Sequence, residues 1–154
     1  METKIGQTVK DLVTGVEGVA ICRAQYLHGC IRLEVQPSKK KDDTIPESVM
    51  IDEVQIKIIN KKQLIKVKKS KQLVKLGQKV YDPVSDLQGI VVARSVYMNG
   101  CSRVYLAFKK DHNGKYQDGR WIDEPQVRIV KEKRAVKQGS RLTGGPCLKP
   151  IREF

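Results

Sequence analysis

Apolar residues in this chain come in short runs separated by glycine-bearing turns, and the whole series of runs occurs twice. In the first series, residues 4–9 open around Gly6 and alternate into Val9, residues 18–25 are rich in Val, Ile and Ala, and residues 31–36 resume the alternation. A polar loop over 38–48 follows, then 49–53 and a last run through 56–59. The second series places the same features at 75–80, 89–96, 102–108, 109–119, 120–124 and 127–130. Short, partly alternating runs bounded by turn residues predict five strands per series and little helix. That pattern points to a small β-barrel.

The two series are copies. Residues 4–59 lie over 75–130 at a constant offset of 71 without a gap, with 18 identical pairs in 56 positions, among them Gly6/Gly77, Asp11/Asp82, Gly18/Gly89, Tyr26/Tyr97, Gly29/Gly100, Cys30/Cys101 and Asp52/Asp123. The chain therefore divides into a first repeat (1–59), a lysine-rich linker (60–74), a second repeat (75–130) and a basic C-terminal tail (131–154). Roughly 55 residues is near the lower limit for an independent core, so the copies are expected to pack together or share strands, with self-association as another route to the same end. One turn differs informatively: Gly15 stands where the second copy has Asp86. Both residues tolerate a left-handed backbone, so one turn conformation serves both copies.

Charge changes the picture from fold to function, because it is uneven. The whole chain carries a net charge of +13, yet both repeats are close to neutral. Residues 57–75 hold eight lysines and no acid, and residues 131–154 hold seven basic and two acidic residues. Such runs are an electrostatic footprint for phosphate backbones or an acidic protein face, although a solvated linker that aids solubility would look alike by charge alone. Leu64, Ile65, Val67, Leu73 and Val74 interleave with the lysines, which a purely disordered spacer does not need. The segment fits either an edge strand guarded by lysines or a short helix.

Residues expected to contact an anionic partner are Lys57, Lys61, Lys62, Lys66, Lys68, Lys69 and Lys71 in the linker and Arg134, Lys137 and Arg141 in the tail. In the repeats, Tyr26 and Tyr97 precede a glycine turn, with Arg23/Arg94 and Arg32/Arg103 around it. If these converge, a ring can stack on a base while guanidinium groups bind phosphate, which makes Arg94, Tyr97 and Arg103 candidates for single-stranded nucleic acid. The alternative is a tyrosine packed on the core with its hydroxyl at the rim. Tyr105, Phe108, Tyr116 and Trp121 add aromatic surface in the second copy only.

Catalytic chemistry finds no footing. The two histidines, His28 and His112, do not match across the copies, and there is no phosphate-binding glycine loop or nucleophile elbow. The recurring pairs Asp52-Glu53 and Asp123-Glu124 are read as caps of the final strand or as partners for nearby basic residues such as Arg23/Arg94 and Arg32/Arg103, rather than as a metal or acid–base site. Cys22, Cys30, Cys101 and Cys147 fit no zinc spacing and are read as reduced thiols, Cys30 and Cys101 as small buried residues. No catalytic residue, metal or cofactor is assigned. Residues 1–7 show no charged-then-apolar leader and no apolar run approaches a membrane span, so the expectation is a cytoplasmic, membrane-free protein.

The strings Lys75-Leu76-Gly77-Gln78-Lys79-Val80 with Asp82, Asp11-Leu12-Val13-Thr14-Gly15-Val16-Glu17-Gly18, and Tyr26-Leu27-His28-Gly29-Cys30 resemble a family of small proteins of tailed bacteriophages. Its members usually hold one copy, with a glycine-lysine-valine opening, a valine-threonine-glycine-x-x-glycine turn and a tyrosine-leucine-x-glycine-cysteine turn. The turns and strands are also similar to SH3-like barrels of the KOW and Tudor kind. The resemblance covers each repeat but neither linker nor tail, and it implies a phage source and two tandem SH3-like β-barrels in a mainly β protein, with no activity attached. The second copy departs at Pro83, Asp86 and Met98.

The reading that follows is a non-enzymatic phage protein in the host cytoplasm. It would engage nucleic acid, or an acidic or nucleic-acid-handling host complex, for instance as an inhibitor of an RNA-guided defence nuclease. Two alternatives stay open: a virion accessory protein docking on capsid or tail, and a sponge for a small anionic nucleotide.

Overall fold

The computed structural model describes residues 2–131, and within them the protein is mainly β, an open antiparallel sheet of ten strands with two single-turn 3-10 segments. In the first repeat, β1 (Thr8–Asp11), β2 (Glu17–Tyr26), β3 (Ile31–Pro37) and β4 (Val49–Asp52) pair in succession. A 3-10 turn, Glu53–Gln55, then returns the chain as β5 (Ile56–Asn60) along the free edge of β1. The second repeat uses the same connections: β6 (Lys79–Asp82), β7 (Leu87–Tyr97), β8 (Ser102–Phe108), β9 (Arg120–Asp123), the turn Glu124–Gln126, and β10 (Arg128–Ile129) against β6. The first strand of each copy begins later than the hydrophobic pattern predicts. Residues 5–6 and 76–77 form a turn at Gly6 and Gly77, whose φ values are 89° and 82°.

Each repeat has its own core. Val9, Ala20, Leu33, Val35 and Ile51 pack in the first, and Val74, Val80, Val91, Val104, Leu106 and Ile122 in the second. Gly18 has no room for a side chain, because a Cβ there would lie 2.2 Å from the Gln36 carbonyl oxygen. In the β1–β2 turn Asp11 accepts from the Val13 and Thr14 amides, and in the β6–β7 turn Asp82 accepts from Val84 and Ser85. The substituted turn position is left-handed in both, with φ 75° at Gly15 and 57° at Asp86, as the sequence reading expects. Asp86 is held there by a 2.8 Å hydrogen bond from the Tyr81 hydroxyl.

The copies are joined by strand pairing. One edge of β2 follows β1 as far as Val19, a bulge intervenes around Ile21, and from Cys22 to Tyr26 that edge pairs antiparallel with β7. The register is Cys22 to Tyr97, Arg23 to Val96, Ala24 to Ser95, Gln25 to Arg94 and Tyr26 to Ala93. Because the repeat offset makes Tyr97 the counterpart of Tyr26 and Ala93 that of Cys22, this ladder is two-fold symmetric about Ala24 and Ser95. Beyond both ends the symmetry holds, with Leu27 N–H donating to Val92 O and Met98 N–H to Ile21 O, each at 2.8 Å. The matching bulges have a physical purpose: an extra residue re-aims a strand. The first half of β2 or β7 faces its own core, and the second half builds one sheet with the other copy.

Candidate anion-binding surface

Two regions gather the residue types that point to a partner: the lysine linker, and the face of the sheet shared by both repeats. The linker is neither an edge strand nor a helix. It is an extended strap, and side chains replace the ladder partners it lacks. Gln7 Nε2 donates to Lys61 O at 2.9 Å, Gln63 Nε2 to Ile5 O at 2.6 Å, and the Leu64 amide to Gly6 O at 3.0 Å. At its far end Ser70 Oγ accepts from Arg94, while the Leu73 and Val74 amides donate to Glu124 Oε1 at 2.9 and 3.2 Å. Val74 enters the second core.

Between these anchors Lys61, Lys62, Lys66, Lys68, Lys69 and Lys71 are all exposed, as are Lys57 on β5 before them and Lys75 after them. Among the described residues none of them makes a salt bridge. Of the interleaved apolar residues only Val74 is buried; Leu64 and Ile65 stand 62% and 55% exposed beside the lysines. Lys68 runs closely over the turn at Gly100, where a Cβ would meet its own at 3.0 Å.

The shared face follows from the register. Paired residues lie on the same side of a sheet, so Asp52, Arg32, Ala24, Ser95, Arg103 and Asp123 form one row across β4, β3, β2, β7, β8 and β9. On one side of it lie Met50, Glu34, Cys22 and Tyr97, and on the other Tyr26, Ala93, Tyr105 and Trp121. The small central side chains are sunk between longer ones. Tyr97 hydrogen-bonds Cys22, whose thiol is pushed up to about 12 by burial and then by the nearby Glu34 charge. Arg32 sits over the Tyr26 ring at 5.8 Å, and Tyr105 meets Trp121 edge-on at 5.3 Å.

The sequence-derived candidates are thus divided. Tyr97 and Arg103 share the face with Tyr26 and Arg32, but Arg94, like Arg23, lies on the opposite side. Arg94 and Tyr97 are three positions apart on one strand, and such residues face opposite ways. Arg94 is committed to Glu124, with contacts of 2.8 to 3.1 Å to both carboxylate oxygens. Burial acts to raise the Glu124 carboxyl, but the hydrogen bonds from Arg94, Ser102 and the strap amides prevail and hold it below the ordinary value. Arg103 and Arg32 are also matched, to Asp123 at 3.1 Å and Asp52 at 2.8 Å. The acidic pairs therefore act as ion-pair partners, and the arginines of the face add no net positive charge. Positive potential belongs to the strap.

Cys30 and Cys101 are exposed rather than buried, because each follows a turn glycine at a sheet end, outside either core; among the described residues Cys22 is the buried thiol. Phe108 packs against the second core, and Tyr116 projects from its loop with Lys110 over its ring at 4.6 Å. Arg134, Lys137, Arg141 and Cys147 lie outside the described residues. Among the described residues no cluster of three potential metal ligands occurs, and no helix is long and apolar enough to cross a membrane. Compared with protein-family models, curated proteins and solved structures, the chain finds no match in any of the three.

Proposed function

We propose that this chain is a non-enzymatic, phage-encoded binding protein, built from two SH3-like barrels, whose lysine strap engages nucleic acid or an acidic, nucleic-acid-handling host complex. Inhibition of a host defence complex is the specific form this reading takes. The barrel element of the proposal draws support from the strand order of each copy, in which a 3-10 turn brings the fifth strand back onto the first.

The observation that carries the functional reading is the strap itself: exposed lysines without a carboxylate partner among the described residues, on a backbone already fixed at both ends. A pre-ordered basic surface loses less conformational entropy on binding than a mobile one. Exposed Leu64 and Ile65 add apolar contact that a purely solubilising linker does not need.

The test is affinity purification of the tagged protein from host lysate with and without nuclease, beside a variant with Lys61, Lys62, Lys66, Lys68 and Lys69 changed to Gln. The proposal expects the variant to lose the recovered partner. Recovery that collapses with nuclease identifies nucleic acid as the ligand, and one defined complex that survives identifies an acidic protein partner. Equal recovery by the five-lysine variant would sink the reading.

A further inference from the structure

We infer a second anion site, in the second repeat and independent of the strap, that accepts a phosphorylated nucleoside. On the outer face of the sheet Lys79, Ile90 and Ala107 are register partners across β6, β7 and β8, so their side chains form one row. A depression of about 250 Å³ lies over this row, with the Ile90 and Ala107 side chains as its apolar floor and Lys109 and Gln88 beside it.

Its apolar floor is rigid. Beneath it, on the core side of the sheet, Phe108 packs over Gly89, where a Cβ would lie 2.9 Å from Ala107 O and 3.2 Å from Phe108 Cδ1. Among the described residues no acid lines the depression and neither lysine makes a salt bridge.

Comparison with the first repeat shows that these features are specific to the second. The counterparts of Lys79, Gln88, Ala107, Phe108 and Lys109 are Thr8, Glu17, Gln36, Pro37 and Ser38, so the second site is three charge units more positive. In the first repeat the Gln36 side-chain amide is occupied by the Pro46 carbonyl at 2.8 Å. The second site thus joins a fixed apolar floor, two cations and one neutral amide able both to donate and to accept.

A ligand that satisfies all three has a planar ring for the Ile90 and Ala107 floor, a phosphate for the lysines and polar ring edges for Gln88. That is the chemistry of a nucleoside monophosphate, taken either as the free nucleotide or as an unpaired residue of a single strand.

The test is an amide-resolved NMR titration of the full chain with adenosine 5′-monophosphate, adenosine, inorganic phosphate and a short single-stranded oligonucleotide. The proposal expects the monophosphate to shift amides at 79, 88–90 and 107–109, and adenosine or phosphate alone to need at least tenfold higher concentration. Saturation by the oligonucleotide at lower concentration than the monophosphate would identify a strand as the source, and the reverse a free nucleotide. Lys79→Gln with Lys109→Gln should abolish these shifts, as should Ala107→Glu, which places an acid in the row; the five-lysine strap variant should leave them intact. Shifts confined to the strap, or equal shifts with phosphate alone, would overturn the proposal while leaving the strap reading to its own test.

Discussion

The strap and the shared sheet face both display basic residues, yet only one is a source of positive potential. On the face, Arg32 and Arg103 lie within 2.8 and 3.1 Å of Asp52 and Asp123, so each charge is answered locally. On the strap six exposed lysines, with Lys57 and Lys75 beside its ends, have no such partner among the described residues. What a basic residue offers a partner thus depends on its neighbours more than on its count. Composition made the two regions look alike, and geometry separates them.

The largest expected effect comes from cutting the strap away from the second repeat. Glu124 is fully buried and receives Arg94 and two strap amides, so Glu124→Ala strands the guanidinium and should cost about 3 to 5 kcal/mol in urea denaturation. Its counterpart Glu53 accepts one amide, from Thr3, and stands 3.6 Å from Arg23; Glu53→Ala should cost about 1 kcal/mol. Equal losses would mean that the strap is not anchored as described.

The same carboxylate gives a pH signature. A folded value below the unfolded one, about 4.3 for glutamate, stabilises the fold above that pH, and the contribution is lost as pH falls through the lower folded value. Wild-type stability should therefore fall in acid, and Glu124→Gln should flatten that fall. An unchanged acid limb in the variant would remove Glu124 as its cause.

A smaller effect is expected under the face itself. Ala24 and Ser95 sit at the centre of the two-fold ladder, 1% and 2% exposed, so Ala24→Leu and Ser95→Leu should each cost about 1 to 3 kcal/mol through overpacking. Because the surroundings are related by the repeat, the two losses should agree within about 1 kcal/mol. A large loss at one position alone would contradict the symmetric pairing. Smaller still is the loss of a face ion pair: Asp52→Asn or Asp123→Asn should change stability by about 1 kcal/mol or less, since all four groups are partly exposed.

Much of this was readable from the residues. Glycine turns and alternation located the strands, the Gly15-to-Asp86 exchange marked a left-handed turn, and the recurring acidic pairs matched recurring arginines. Missed were features that depend on tertiary partners. The bulges at Ile21 and Val92 shift the alternation of β2 and β7 by one, so which face carries Cys22 and Ala24 cannot be counted from the strand start. Strap conformation is not legible in the sequence because its hydrogen bonds run through the Gln7, Gln63 and Glu124 side chains, which leave no periodic trace. The separation of Arg94 from Tyr97 did have a signal, their odd spacing on one strand. Lys79 and Lys109 are each an isolated charge in sequence, and only the ladder of β6, β7 and β8 brings them to one depression.

The most direct measurement is the salt dependence of binding to a labelled DNA duplex, for wild type, for the five-lysine strap variant and for Arg32→Gln with Arg103→Gln. Each lysine engaged with a phosphate contributes about 0.9 to the slope of log affinity against log salt. The account predicts a steep wild-type slope, a slope shallower by several units in the strap variant, and one close to wild type in the arginine variant. A strap variant that binds with the wild-type slope, or an arginine variant that loses it, would contradict the assignment of the anionic contact to the strap.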